Sequence, residues 1–117
     1  MRNVAWPWGE PFAFAGLWDV WQSEGQMLRT CCLITTSANE LVSEVHDRMP
    51  VIVPPDAWAR WLDPEPPDIG ELRALLEPRD DWALDAYPVP PLVNNVRNNG
   101  PELVERLQPS PEPLTLL

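Results

Sequence analysis

The stretch TTSANELVSEVHDRMP, Thr35 to Pro50, changes backbone type twice and so decides the fold class. Leu33 and Ile34 close an apolar run just ahead of it. Ser37 followed three residues later by Glu40 has the spacing of a capping box, which predicts a helix through Val45. Arg48-Met49-Pro50 then leads into Val51-Ile52-Val53, a β-branched run of the kind strands favour. The expected order is a strand end, one short helix and a new strand. The strand-to-helix turn exposes Thr35 and Thr36, and the helix-to-strand turn exposes His46, Asp47 and Arg48. Binding and catalytic groups concentrate in turns of this sort.

Working outward toward the N-terminus, Met27 to Thr36 reads as one strand, and Gln22 to Gln26, with Gly25, as the hairpin connection before it. Its partner is Pro11 to Trp21, where Phe12, Phe14, Gly16 and Trp18 alternate with Ala13, Ala15 and Leu17. Both sides are mostly apolar, so a central strand covered on both faces is expected. Met1 to Gly9, with Trp6-Pro7-Trp8, reads as frayed or as the remnant of an upstream strand.

Toward the C-terminus, Pro54-Pro55-Asp56 stops the strand and starts a helix with Trp58, Trp61 and Leu62 at helical spacing. These tryptophans read as core anchors, with base-stacking platforms as the other reading. Asp63 to Asp68 is a proline-rich linker. Asp68 with Glu71 is a second capping box, opening a helix to Glu77 whose Leu72, Leu75 and Leu76 form one stripe. Trp82 to Val89 is expected as an edge strand ending at Pro88, Val93 to Val96 as a short extended piece, and Gly100-Pro101 as the start of a last helical turn with Leu103 and Val104. Gln108 to Leu117 has the composition of a disordered tail.

The chain has 117 residues, 44% of them hydrophobic, and its sixteen prolines far exceed the average usage of about 5%. One small domain is expected, over residues 1–107, followed by the tail at 108–117. Eighteen acidic residues against eight basic ones, all arginine, give a net charge of −10. A free-standing nucleic-acid binder carries a basic face, because phosphate contacts supply most of its affinity. Any DNA contact here falls to local arginines such as Arg48, or to positive surface contributed from elsewhere. Cys31 and Cys32, adjacent on a strand, point to opposite faces and read as two buried, reduced thiols. One histidine and two such cysteines cannot supply a tetrahedral metal set, so no metal or other cofactor is expected. No leader pattern and no run near the roughly 20 apolar residues of a membrane span is visible, which leads to the expectation of a cytoplasmic protein.

His46 is the one side chain suited to giving and taking protons near neutrality. A histidine at a helix end can equally cap the last carbonyls. Glu44 and Asp47 flank it, either to orient it or as solvated charges. Asn94, Asn95, Asn98 and Asn99 form a polar surface or serve turns.

Five segments together carry a resemblance: PFAFAGLW at Pro11 to Trp18, TCCLITTSAN at Thr30 to Asn39, HDRMPVIV at His46 to Val53, WARWLD at Trp58 to Asp63, and VNNVRNNGPELVE at Val93 to Glu105. In that order and spacing they resemble the C-terminal half of the SRAP family, the SOS response-associated peptidases that process abasic sites in DNA. The resemblance implies that His46 transfers protons at the abasic sugar, in β-elimination and in reversal of a DNA–protein crosslink. It implies that Thr35 lines the DNA pocket and that Arg48 pairs with a phosphate as a planar donor fork. Family members begin Met-Cys and close a thiazolidine on the opened sugar, whereas this sequence begins Met1-Arg2. The family's Asn-Ala-Arg and Gly-Phe-Tyr-Glu-Trp motifs are also absent, and Asp19 in GLWDVW lies on too late a strand to replace the second motif's glutamate.

The expected fold is α+β, a mostly antiparallel, partly barrel-like sheet with short peripheral helices. The expected function is abasic-site processing in single-stranded DNA by crosslinking, with peptidase and lyase activity, impaired here by the absent N-terminal cysteine. The alternative is a non-catalytic remnant, or one half of a split protein that binds its missing N-terminal half. Half a sheet would leave an unpaired edge near Phe12 to Trp18 and a tendency to aggregate.

Overall fold

The computed structural model describes residues 2–5, 9–65, 68–80 and 82–108. The expected tail from 109 onward, Trp6-Pro7-Trp8 and two prolines of the Asp63 to Asp68 linker lie outside these. In chain order the strands and helices are β1 Arg2–Ala5, β2 Ala13–Phe14, β3 Gly16–Ser23, β4 Gln26–Leu33, β5 Thr35–Ser37, α1 Glu40–Ser43, β6 Arg48–Pro50, β7 Ile52–Val53, α2 Trp58–Leu62, α3 Ile69–Ala74 and β8 Asp85–Pro88. All strand pairs are antiparallel, and the class is α+β. The pairs β1–β8, β2–β7, β3–β4 and β5–β6 stay two-stranded, and none closes into a barrel among the described residues.

Three of these pairs meet at one point. Ala15 links β2 to β3, Ile34 links β4 to β5, and Val51 links β6 to β7. Their backbones form a closed triangle in which Ala15 N–H donates to Val51 O at 2.8 Å, Val51 N–H to Ile34 O at 2.9 Å, and Ile34 N–H to Ala15 O at 2.9 Å. Each chain segment changes its pairing partner as it passes the junction, yet no backbone group there is orphaned, as buried backbone requires. Ala15 and Val51 are fully buried, and with Val53 and Ala57 they form the core.

Ile34, Trp61, Leu75 and Leu76 pack against that core from outside. Helix α2 is fastened by two indoles, with Trp58 Nε1 donating to Val53 O at 2.7 Å and Trp61 Nε1 to Gly16 O at 3.2 Å. The expected role of core anchor thus holds for Trp61, whereas Leu62 projects into solvent. Gly16 is needed where it stands, since a Cβ would come within 3.2 Å of Cys32 O. Asp68 caps α3 as the capping-box spacing anticipates, accepting from Gly70 N–H, and α3 stops at Ala74 rather than Glu77.

Beyond the junction, β3 and β4 run on as a hairpin about 26 Å long, at roughly 3.3 Å per residue over eight residues. Glu24 and Gly25, at φ 48° and 78°, form a two-residue turn of the type I′ class that right-twisted hairpins favour. Directly opposed residues share a face. One face carries Trp18, Val20, Met27, Cys31 and Leu33; the other carries Leu17, Trp21, Leu28 and Cys32. None of these is buried. The expectation of a central strand covered on both sides fails here, because apolar alternation on both faces reports what a strand can pack against, not what is present to pack. Cys31 and Cys32 are free and exposed for the same reason, contrary to the buried reading.

At the far end, β1 pairs with β8, so part of the Met1 to Gly9 segment, read as frayed or as the remnant of a strand, is a strand. Leu107 N–H donates to Pro88 O at 2.9 Å, and the Arg106 guanidinium lies 4.4 Å over the Tyr87 ring beside Asp85. Residues Pro91–Asn94 form a 3-10 turn, not an extended piece, because Asn95 N–H and the Asn98 side chain both bond back to Leu92 O. Among the described residues no helix is long and apolar enough to cross a membrane.

Candidate functional site

Strands β5 and β6 are the two sides of a second, shorter hairpin, with register Thr35–Pro50, Thr36–Met49 and Ser37–Arg48. One further bond, Ala38 N–H to Asp47 O at 3.0 Å, extends the ladder. The residues between form a loop whose middle is α1. Period-2 alternation puts Met49 inward, buried, and Arg48 and Thr35 together on the outer face as diagonal neighbours. The expected strand-to-helix turn at Thr35 and Thr36 is therefore a strand, with Thr35 exposed and Thr36 half-buried.

The diagonal is closed by hydrogen bonds. Arg48 Nη2 donates to Thr35 O and to Thr35 Oγ1, both at 2.9 Å. A guanidinium has five N–H donors in a rigid fork, so fixing one nitrogen on Thr35 sets the plane of the whole group.

His46 sits at the end of the α1 turn, its backbone N–H bonded to Val42 O at 2.9 Å, with its side chain 68% exposed. Its Nδ1 lies 3.0 Å from Arg48 N, 3.1 Å from Arg48 O and 3.2 Å from Asp47 Oδ1. These three neighbours suit both neutral tautomers. When Nδ1 accepts from Arg48 N–H, the ring's proton is on Nε2, which can donate. When Nδ1–H donates to Arg48 O or Asp47, Nε2 offers its lone pair and can accept. Nε2 has no partner among the described residues, so the ring turns a hydrogen-bond donor or acceptor outward without changing position; as an acceptor it can take a proton, and the imidazolium so formed, its Nδ1–H held by Arg48 O or Asp47, can return it. The alternative reading of His46 as a cap on the last helix carbonyls does not match this geometry, in which the ring contacts the residues that follow it.

The structure thus places Thr35, His46 and Arg48 on one exposed corner, with Asp47 beside the imidazole. Asn39, which the sequence reading passed over, organises that corner. It is buried, it caps α1 by accepting from Val42 N–H at 3.0 Å, and its Nδ2 donates to Arg79 O at 3.0 Å. Ser37, the expected cap, lies instead in β5 opposite Arg48. The signal was present, since asparagine is among the strongest N-cap residues, but the capping-box spacing drew the assignment two residues early. Asp80 adds a further cap, accepting from Glu40 N–H at 2.8 Å. The Asn94 to Asn99 group serves turns, with Asn95 Oδ1 accepting from Arg97 N–H and Asn98 Nδ2 bonded to Leu92 O. No group of three histidine, cysteine or acidic residues suited to a metal ion occurs among the described residues.

Known proteins resemble the chain across this architecture. The abasic site processing protein YoqW of Bacillus subtilis is 48% identical over 95 residues, covering 80% of this chain and 42% of its own length. The abasic site processing protein HMCES of Rattus norvegicus is 34% identical over 103 residues, covering 86% of this chain and 29% of its own. A crystal structure of a Bacteroides thetaiotaomicron protein superposes with a TM-score of 0.74 at 29% identity, over 92% of this chain and 48% of that one. The chain therefore spans less than half the length of these relatives. The family model for SOS response associated peptidase matches residues 4–96, a span that contains the strand junction and the whole His46 corner. With that match over most of its length, the chain belongs to the SOS response associated peptidase family, SRAP.

Proposed function

We propose that this chain takes part in abasic-site processing of single-stranded DNA, with His46 as the proton donor and acceptor at the opened sugar. The observation that carries the reading is the His46 corner. An outward Nε2 that can be acid or base stands beside a guanidinium locked in plane by Thr35, in a chain whose relatives are named abasic site processing proteins. Arg48 binds a phosphate next to the lesion through the donors that Thr35 leaves open. Thr35 lines the same pocket and holds the fork. Positioned general acid–base catalysis contributes about 10²–10⁴-fold, enough for the lyase step and for reversal of a DNA–protein crosslink.

The thiol nucleophile for crosslinking, and the positive field that a chain of net charge −10 lacks, come in this reading from the remainder of an SRAP domain. That remainder also completes the sheet toward a barrel. The exposed β3–β4 hairpin favours such a two-part arrangement over a solitary remnant.

The test uses a single-stranded oligonucleotide with one abasic site. The chain is co-produced with the part of the Bacillus subtilis relative that it does not match, and adducts and strand cleavage are read on a denaturing gel. Cleavage and adduct reversal that fall about 10²-fold in His46→Gln support the assignment. Unchanged rates in that variant overturn it.

A further inference from the structure

We infer that Asp80 is a positioning residue for His46: by accepting from Glu40 N–H at 2.8 Å it completes a two-point clamp on the loop that carries the imidazole. The inference rests on the reading of His46 above and names what holds that side chain in place.

The loop needs holding. It leaves the β5–β6 ladder at the bond from Ala38 N–H to Asp47 O, and between those residues its regular structure is α1, four residues long with none of them buried. A helix of that length is far below the roughly 12–15 residues at which an isolated one becomes even marginal in water. Packing alone therefore does not set its direction, and hydrogen bonds have to. Two of them reach from the start of α1 to successive residues of a distant segment. Asn39 Nδ2 donates to Arg79 O at 3.0 Å, and Glu40 N–H donates to Asp80 Oδ1, forty residues further along the chain. Bonds between successive residues on both sides fix an orientation as well as a distance, which a single bond does not.

The clamp has a firm base. Leu75 and Leu76 pack against the core, and Pro78, whose ring fixes its φ, stands between them and Arg79. From the start of α1 the hold passes through Ser43 N–H to Asn39 O and through His46 N–H to Val42 O, both at 2.9 Å. Asp80 thus connects the core to the imidazole through the backbone. Its side chain is exposed, so its removal should show in the chemistry more than in folding. Misplacing a reacting group by about 1 Å can cost about 10²-fold in rate.

The experiment measures kcat and KM for strand cleavage in the assay above, and amide hydrogen exchange at His46 in the chain, for Asp80→Ala, Asp80→Asn and Asp80→Glu. Asp80→Ala should lower kcat about tenfold with KM changed less than about twofold, and should speed exchange of the His46 N–H about tenfold. Asp80→Asn keeps an oxygen acceptor at the same reach and should restore both to within about twofold, with Asp80→Glu, one methylene longer, lying between. On the His46→Gln background, Asp80→Ala should lower kcat less than about twofold further, since residues acting as a unit are not additive. Unchanged kcat in Asp80→Ala overturns the inference. So does a loss in Asp80→Asn equal to that in Asp80→Ala, or the full further loss on the His46→Gln background. Should Asp80→Ala fail to fold, wild-type kcat in Asp80→Glu overturns it. Faster exchange at His46 in Asp80→Ala, together with cleavage indifferent to His46→Gln, would sink the functional reading and leave the clamp standing.

Discussion

Ala15, the link between β2 and β3, lies two residues from Leu17 in β3, yet Ala15 is 0% exposed and Leu17 57%. The difference marks the two regions of this molecule. At the junction, three strand segments share a ring of hydrogen bonds, and Trp61 of α2 with Leu75 and Leu76, just past α3, pack over them. In the hairpin, each strand has one partner among the described residues, and most of its apolar side chains stay exposed. The hairpin holds Leu17, Trp18, Trp21 and Leu28 in the open, so burial follows the number of neighbours, not the apolar content of the strand. The His46 corner belongs to the first region, because β5 and β6 leave the junction directly and inherit its fixed register.

The sharpest way to break this comparison is a charge at the junction. Val51→Asp should cost on the order of 3–5 kcal/mol, as an unpaired buried charge does, and abolish cooperative urea unfolding. Retention of a two-state transition would show that the junction is not the stabilising centre. Next comes chemistry: His46→Gln in the co-produced complex should lower lyase rate about 10²-fold, equivalent to roughly 2.7 kcal/mol in the barrier, with circular dichroism unchanged. Smaller again, Asn39→Ala removes a cap and leaves Arg79 O without its donor, for about 1–2 kcal/mol in urea denaturation. Asn39→Asp keeps the cap oxygen and should fall between the two. Last, Trp18→Thr should change the stability of the chain alone by under about 0.5 kcal/mol and raise its solubility. A loss of 2 kcal/mol or more would mean that the β3–β4 hairpin is already packed.

Much of the site was legible because its residues are close in sequence. His46, Asp47 and Arg48 fall at one turn, whereas the strand pairing that brings Arg48 beside Thr35 is a product of the folded register. The β-branched run Val51-Ile52-Val53 and the Asp68 cap were legible for the same local reasons. Asn39 was not, since two N-cap candidates lay within three residues and the deciding bond, to Arg79 O, is forty residues away. The exposure of Cys31, Cys32 and Trp18 was equally hidden, because a strand's sequence states its appetite for cover and not whether cover exists. Pairing of Arg2–Ala5 with Asp85–Pro88 spans most of the chain, and no local pattern encodes it.

The sequence alone determined the α+β class, a hairpin connection within Gln22 to Gln26, the family resemblance and the presence of one histidine at the corner. Propensity, alternation and spacing act over a few residues and are written locally. The tertiary structure decided which apolar strands are buried, which residue caps the site helix, and how Arg48 is held against Thr35. Those outcomes depend on hydrogen bonds and packing between segments far apart in the chain, where one additional neighbour separates a core strand from an exposed hairpin.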